Sequence, residues 1–138
     1  MRRMSGFLCG LMLGLLFGSV GARADVVLDW NAIAVNTAVA NHQNPFAQAR
    51  YAAIVQLAVF EAVNSITHHY QPYLWTITAP PDASPDAAAI EAAYLVLSTY
   101  FTASQAPLFA DRTTSLLTIP DGPAKIDGIA TGDAAALA

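Results

Sequence analysis

The sequence has little charge and only one cysteine. Charged residues make up 12% of its 138 residues and hydrophobic residues 55%, whereas about a quarter of an ordinary soluble domain is charged. A disordered chain needs low hydrophobicity and a high net charge, so the composition excludes that class. The single cysteine, Cys9, excludes a disulfide-stabilised miniprotein, and the length permits one domain of modest size.

Basic residues are also scarce outside the N-terminal region. From residue 25 onward the chain has three basic residues against ten acidic ones, which gives a formal charge of −7. Proteins bind nucleic acid through clusters of Lys and Arg that neutralise phosphates. We therefore expect no nucleic-acid partner.

The first 24 residues have the pattern of a secretory signal peptide. Arg2 and Arg3 precede an apolar run over residues 7–20, which is followed by the small-residue pattern Ala22-Arg23-Ala24. The apolar run is shorter than the ~20 residues that a membrane-spanning helix needs. We predict a signal peptide at residues 1–24 and an exported segment at residues 25–138. That segment is periplasmic or secreted and has no membrane attachment after cleavage.

Hydrophobic spacing and helix-capping residues predict an all-α fold with four or five helices and no strand. The first begins near Asp29, and the second covers residues 45 to about 65. The third follows Ser84-Pro85-Asp86, the fourth covers about 105–117, and the fifth runs from Pro123 to the end of the sequence. In the first helix the apolar residues at helical spacing are Leu28, Ala32, Val35 and Val39, and in the third they are Ile90, Tyr94, Leu97 and Phe101.

The second helix is apolar in nearly every direction, which is typical of a buried helix. An enclosed central helix needs neighbours on all sides, and a larger bundle would supply them more easily than four short helices. The fifth helix has no recognisable stop signal. Both features favour a chain that is part of a longer protein. For the missing stop signal of the fifth helix, the alternative is fraying of a true C-terminus.

Two polar residues, Glu61 and Asn64, lie one turn apart on the second helix. Buried polar groups must find hydrogen-bond partners. One interpretation is inter-helix hydrogen bonding that fixes the packing, and the other is a layer of polar residues beneath an active site. Arg50 projects in nearly the same direction as Glu61, but a rise of 1.5 Å per residue separates them by about 16 Å, so they do not form a pair.

The sequence supplies no catalytic, cofactor-binding or metal-binding residue. His68 and His69 are adjacent, and neither a cysteine nor a nearby carboxylate completes a four-ligand set. No hydrolase nucleophile motif occurs, and the glycines do not form a phosphate-binding loop. The structural alternative for the histidine pair is a solvated loop.

Four stretches of the sequence nevertheless indicate a known family. They cover residues 27–39, 49–74, 84–101 and 115–136, in order along the chain, and the more specific pieces are FEAVNSI with the following YQPYL and the run IPDG-x-AK-x-x-GIA-x-G. Together these stretches resemble the N-terminal half of bacterial vanadium-dependent haloperoxidases. This family shares an all-helical superfamily with the type 2 phosphatidic acid phosphatases. The resemblance implies the N-terminal part of a helical bundle of haloperoxidase type, about five helices, and incomplete.

The resemblance also implies that the chemistry depends on residues outside this sequence. The family holds vanadate or phosphate with a Lys followed by Arg-Pro, a P-S-G-H loop, and a distal Ser-Arg and His. Here Lys125 is the only lysine and no Arg-Pro follows it. The peroxidase or acid phosphatase activity and the vanadate cofactor therefore belong to full-length relatives, and we expect none of them in this chain alone.

Two other interpretations remain open. The chain is a stand-alone periplasmic helical module with a binding or scaffolding role, or it associates with a separately encoded catalytic half. In the interpretation that follows the haloperoxidase resemblance, the partner is instead the missing C-terminal half of the same protein. The sequence does not choose between haloperoxidase and phosphatase chemistry, and it leaves a homo-oligomer open.

Overall fold

The computed structural model describes residues 26–74 and 76–137, so the predicted signal peptide lies outside the described residues. The described part contains five α-helices, one short 3₁₀ helix and no strand, and the predicted all-α fold is confirmed. In chain order the helices are α1 (Val26–Ala40), α2 (Pro45–Thr67), α3 (Pro85–Tyr100), the 3₁₀ helix (Thr102–Ser104), α4 (Gln105–Leu116) and α5 (Pro123–Leu137).

Local capping residues set the beginnings of α2 and α3. The Asn44 side chain accepts hydrogen bonds from the amides of Phe46 and Ala47, each at 3.1 Å. The Ser84 hydroxyl accepts from the amide of Ala87 at 3.2 Å. In both helices a proline follows the cap, where its missing N–H leaves no unpaired donor. The predicted starts of these two helices are confirmed.

The face of α1 that packs inward differs from the predicted one. Trp30, Ala34 and Ala38 are buried, whereas Leu28 and Val39 are exposed. The inward residues also follow helical spacing, with Trp30 in place of Leu28 at the start of the helix. A large aromatic side chain removes more apolar area from water than a Leu or a Val, so the face that carries Trp30 turns toward the core.

Helix α3, and not α2, is the central helix of the described fold. It packs against α1, α2, α4 and α5, and ten of its residues are buried. Five of these ten are alanines, whose small side chains let several helices approach at once. By contrast, the N-terminal half of α2 is largely exposed, and the Phe46 side chain is 89% accessible. The expectation that α2 is enclosed on all sides is wrong for this half.

Two glycines bring α5 close to α3. A Cβ atom added at Gly128 would lie 2.4 Å from the Ser84 carbonyl oxygen, and one added at Gly132 would lie 2.5 Å from the Ala88 carbonyl oxygen. A hydrogen bond from the Ser84 amide to the Ala124 carbonyl, 2.8 Å long, joins the starts of the two helices. The glycines are therefore packing residues, because the helices could not approach this closely around a side chain.

Among the described residues, no helix combines the length and the hydropathy needed to cross a membrane.

Candidate functional site

Glu61 is a buried carboxylate that holds the loop after α2. The residue is only 3% exposed to solvent. One carboxylate oxygen, Oε1, accepts hydrogen bonds from the backbone amides of Tyr73 and Leu74, both at 2.7 Å. Hydrogen bonds of this length to a charged acceptor are among the stronger ones in proteins. The carboxylate thus fixes the loop backbone at residues 73 and 74.

Asn64 holds the near end of the same loop. Its Nδ2 donates to the Tyr70 carbonyl at 2.9 Å, and its Oδ1 accepts from the Tyr70 amide at 2.8 Å. The predicted burial of Glu61 and Asn64 is confirmed, but their partners are loop backbone groups and not groups on another helix. The inter-helix interpretation is therefore corrected, because the chain returns over the end of α2 and brings its own backbone to these side chains.

The clamped loop presents large side chains to solvent. Tyr70, Tyr73 and Leu74 are all more than half exposed, although the backbone beneath them is bonded to two buried side chains. His68 ends α2 in a left-handed conformation, with its amide bonded to the Asn64 carbonyl at 2.8 Å. His68 and His69 are both exposed in this loop, as the solvated-loop interpretation predicted.

An apolar groove lies beside Glu61, between α2, the end of α3 and the end of α5. Its cavity volume is about 310 Å³. The apolar side chains that line it come from all three helices and the clamped loop, and they include Ile54, Leu57, Leu74, Val96 and Leu137. Glu61 also lines a smaller cavity of about 90 Å³ beneath the loop. The carboxylate therefore belongs to both, and it is the acidic group of the larger groove.

The N-terminal half of α2 is exposed along one side. Phe46, Ala49 and Ala53 are exposed along this part, and Arg50 lies among them. Arg50 makes no hydrogen bond or ion pair with any described residue. This face of α2 therefore has an apolar stripe with one cation that pairs with no described residue, and the described helices leave it uncovered.

A second buried charge cluster joins α3, α4 and α5. Glu91 Oε2 accepts from Arg112 Nε and lies 2.6 Å from Nη2. Burial raises the pKa of the Glu91 carboxyl above its ordinary value, the Arg112 guanidinium opposes that rise, and the neighbouring Asp133 carboxyl adds to it. The guanidinium carbon of Arg112 also lies 5.3 Å from the centroid of the Tyr94 ring. Sequence reasoning missed this cluster, because its members are far apart along the chain.

The Lys125 side chain is hydrogen-bonded within the turn between α4 and α5. Its Nζ donates to Asp121 Oδ1 at 2.9 Å and to the Ile119 carbonyl at 3.3 Å. The ammonium group lowers the pKa of the Asp121 carboxyl below its ordinary value through their hydrogen bond and charge attraction. Lys125 thus stabilises the turn in which the specific IPDG run lies.

The cations of the described residues do not fit a vanadate or phosphate site. An oxyanion of this charge needs several Lys or Arg side chains converging on one place. Arg112 is bonded to Glu91, Lys125 is bonded to Asp121, and Arg50 lies on the exposed half of α2. Among the described residues there is also no cluster of three His, Cys, Asp or Glu side chains suited to a metal ion.

Comparison with known proteins gives no relative: no family model, no curated protein and no solved structure matches this chain.

Proposed function

We propose that this chain is the N-terminal helical segment of an exported protein of the vanadium-dependent haloperoxidase type. In full-length relatives, halide would be oxidised with hydrogen peroxide at bound vanadate, or a phosphomonoester would be hydrolysed at the same anion site. This segment supplies helices that pack around that site, and it does not bind vanadate itself. Its partner is the C-terminal catalytic half, in the same polypeptide or separately encoded.

The observation that carries the proposal is the uncovered side of α2. The sequence of α2 is apolar in nearly every direction, which is typical of a buried helix and favours a larger bundle around it. In the described fold α2 packs against α1, α3 and α5, while its Phe46 side and the groove beside Glu61 stay open. Apolar surface of this kind favours a further element packed against it, which a catalytic half would supply.

The vanadate part of the proposal is tested by titrating orthovanadate into the purified chain and following heat or ⁵¹V resonance. We expect no saturable binding, because the described cations do not converge on one place. Inorganic phosphate is the matched control, since it has the same shape and charge type. Tight saturable binding of either anion would contradict the proposal for this polypeptide.

The origin of the segment is tested by sequencing the DNA that follows the Ala138 codon. A reading frame that continues into Lys with Arg-Pro, then P-S-G-H, then Ser-Arg and His supports the proposal directly. A stop codon in that place leaves two explanations, a separately encoded catalytic half or a stand-alone module. Copurification of a second polypeptide separates these two, because only the first requires one.

The stand-alone binding module is the second candidate, and the groove of about 310 Å³ favours it. Ligand sites in proteins are concave, mostly apolar and equipped with few polar groups, and this groove with its one carboxylate has that character. Cooperative unfolding of the isolated chain, without exposed apolar surface detected by a dye, would support this candidate. A molten, dye-binding chain would support the segment proposal instead.

A further inference from the structure

We infer that the carboxyls of Glu91 and Asp133 form a pH-sensitive contact between α3 and α5. A proton shared by the two carboxyls holds the last described turn of α5 against α3, and ionisation of both carboxyls loosens it. The inference does not rest on the proposed function, because every group in it belongs to the described helices.

The backbone of α5 lies directly on Glu91. Gly132 packs there so closely that a Cβ atom added to it would lie 2.6 Å from the Glu91 Cβ atom. Asp133 follows Gly132, and its side chain is within hydrogen-bonding reach of the Glu91 carboxyl. Glu91 is buried and Asp133 is half-buried. The close approach of the two helices therefore brings two carboxyls together at a place where one of them has little access to water.

The charges of this cluster do not balance when both carboxyls are ionised. Nε and Nη2 of Arg112 both lie 2.6 Å from Glu91 Oε2, and Arg112 is the one described cation that acts on Glu91. One guanidinium facing two carboxylates leaves one negative charge in excess, which is costly at a buried site. A proton between the carboxyls removes that charge and adds a hydrogen bond, as in other pairs of neighbouring carboxyls.

The charged groups that act on Glu91 are Arg112 from α4 and Asp133 from α5. Burial raises the pKa of the Glu91 carboxyl, Arg112 opposes the rise and Asp133 adds to it. The contact is therefore held at low pH and lost as pH rises through the raised pKa. The other titratable side chains on α3 and on the helices packed against it take no part in this contact. They are Asp29 on α1, Arg50, Tyr51 and Glu61 on α2, Asp86, Tyr94 and Tyr100 on α3, Asp111 on α4, and Lys125 and Asp127 on α5.

The part of α5 that follows Asp133 is the part that can respond. The start of the helix is held to α3 by the hydrogen bond from the Ser84 amide to the Ala124 carbonyl. Residues 135–137, beyond the carboxyl pair, line the groove of about 310 Å³ between α2, α3 and α5. Loosening of this turn would move one wall of the groove, so the pair makes the shape of the groove depend on pH.

The test measures hydrogen exchange of the α5 amides in the purified chain between about pH 4 and pH 8. Rates are expressed as protection factors, which remove the intrinsic acceleration of exchange with pH. We expect protection of the Ala135 and Ala136 amides to fall about threefold as pH rises, the size of one like-charge contact at a partly exposed site. The Ile129 amide, which precedes the pair on the same helix, should keep its protection.

Asp133→Asn should keep the Ala135 and Ala136 amides protected over the whole range, because one guanidinium then balances one carboxylate. Asp127→Asn is the matched control, since it removes the same charge from the same helix six residues earlier and should leave the pH dependence unchanged. A ¹³C titration of the side-chain carboxyls gives a second measurement on the unaltered chain. The Glu91 and Asp133 carbons should each respond to both titration steps, and Asp133→Asn should lower the pKa of Glu91.

Protection that stays constant or increases with pH would overturn the inference. So would an equal loss at Ile129, because the whole helix would then loosen, or independent titration of the two carboxyls. Flattening of the pH dependence by Asp127→Asn as much as by Asp133→Asn would also overturn it. None of these results bears on the proposed function, which is decided by vanadate titration and by the reading frame after the Ala138 codon.

Discussion

Replacement of Gly132 by alanine tests the close packing of α5 on α3 most directly. The new Cβ atom would lie 2.5 Å from the Ala88 carbonyl oxygen and 2.6 Å from the Glu91 Cβ atom. Carbon atoms in contact are comfortable at about 3.5 Å or more, so α5 would have to move away by about 1 Å. The nearest obstacle is backbone, which cannot rotate aside as a side chain can.

The expected cost follows from two opposing effects. Overpacking a core costs about 1–3 kcal/mol, and the backbone obstacle places Gly132→Ala near the upper end. Alanine is also the better helix former by about 1 kcal/mol, which offsets part of that cost. We therefore expect the free energy of unfolding to fall by about 2 kcal/mol. Gly128→Ala should behave similarly, since its nearest obstacle is the Ser84 carbonyl oxygen at 2.4 Å.

The assay is urea unfolding followed by circular dichroism at the helix band, with the free energy extrapolated to water. Ala130→Gly is the control, because Ala130 is exposed on the same helix and should lose only the propensity of about 1 kcal/mol. The double variant Gly128→Ala/Gly132→Ala should lower the free energy of unfolding by less than the sum of the two single variants, since one movement of α5 relieves both contacts. A neutral or stabilising Gly132→Ala would refute the close approach of these helices.

Three further predictions concern the carboxylates. Glu61→Ala should lower the free energy of unfolding by about 2 kcal/mol, because two charge-assisted hydrogen bonds are lost and the freed amides can reach water. Glu61→Ala should also speed hydrogen exchange of the Tyr73 amide, and Glu61→Gln should speed it less. Equal exchange rates in the two variants would contradict the role of the Glu61 side-chain oxygen as the acceptor for this amide. Because the pKa of the Glu91 carboxyl is raised in the folded chain, folding favours the protonated carboxyl. The stabilisation from this group is therefore full below the ordinary pKa of the carboxyl and is lost as pH rises through the raised pKa. Urea unfolding between about pH 4 and pH 8 should show that loss, and Glu91→Gln should flatten it; an unchanged slope would refute the assignment. Lys125→Met should return the lowered pKa of the Asp121 carboxyl toward its ordinary value, and titration by NMR checks this.

The parts of the fold that the sequence predicts are those encoded locally. Asn44 and Ser84 each precede a proline, and the side-chain oxygen and the missing N–H act within one turn of helix. The starts of α2 and α3 therefore follow from a few adjacent residues. The start of α1 does not, because Asp29 lies inside the helix, whose first residue in the structure is Val26.

The candidate site is predictable only in part for the same reason. Helical spacing identifies Glu61 and Asn64 as buried, because burial of one helix face depends on periodicity. Their partners lie in a loop that returns over the helix, and no local pattern encodes that return. Glu91 and Arg112 are 21 residues apart, and no local pattern in the sequence indicates that they meet.

The alanines of α3 explain why α2 is left open. A slender central helix lets α1, α4 and α5 pack against it closely, with Gly128 and Gly132 reducing the distance to α5 further. Helix α2 then covers only one side of α3, and its own outer face has no described neighbour. That face exposes the apolar residues Phe46 and Ala53, so the helix whose sequence is apolar in nearly every direction is open to solvent along its N-terminal half.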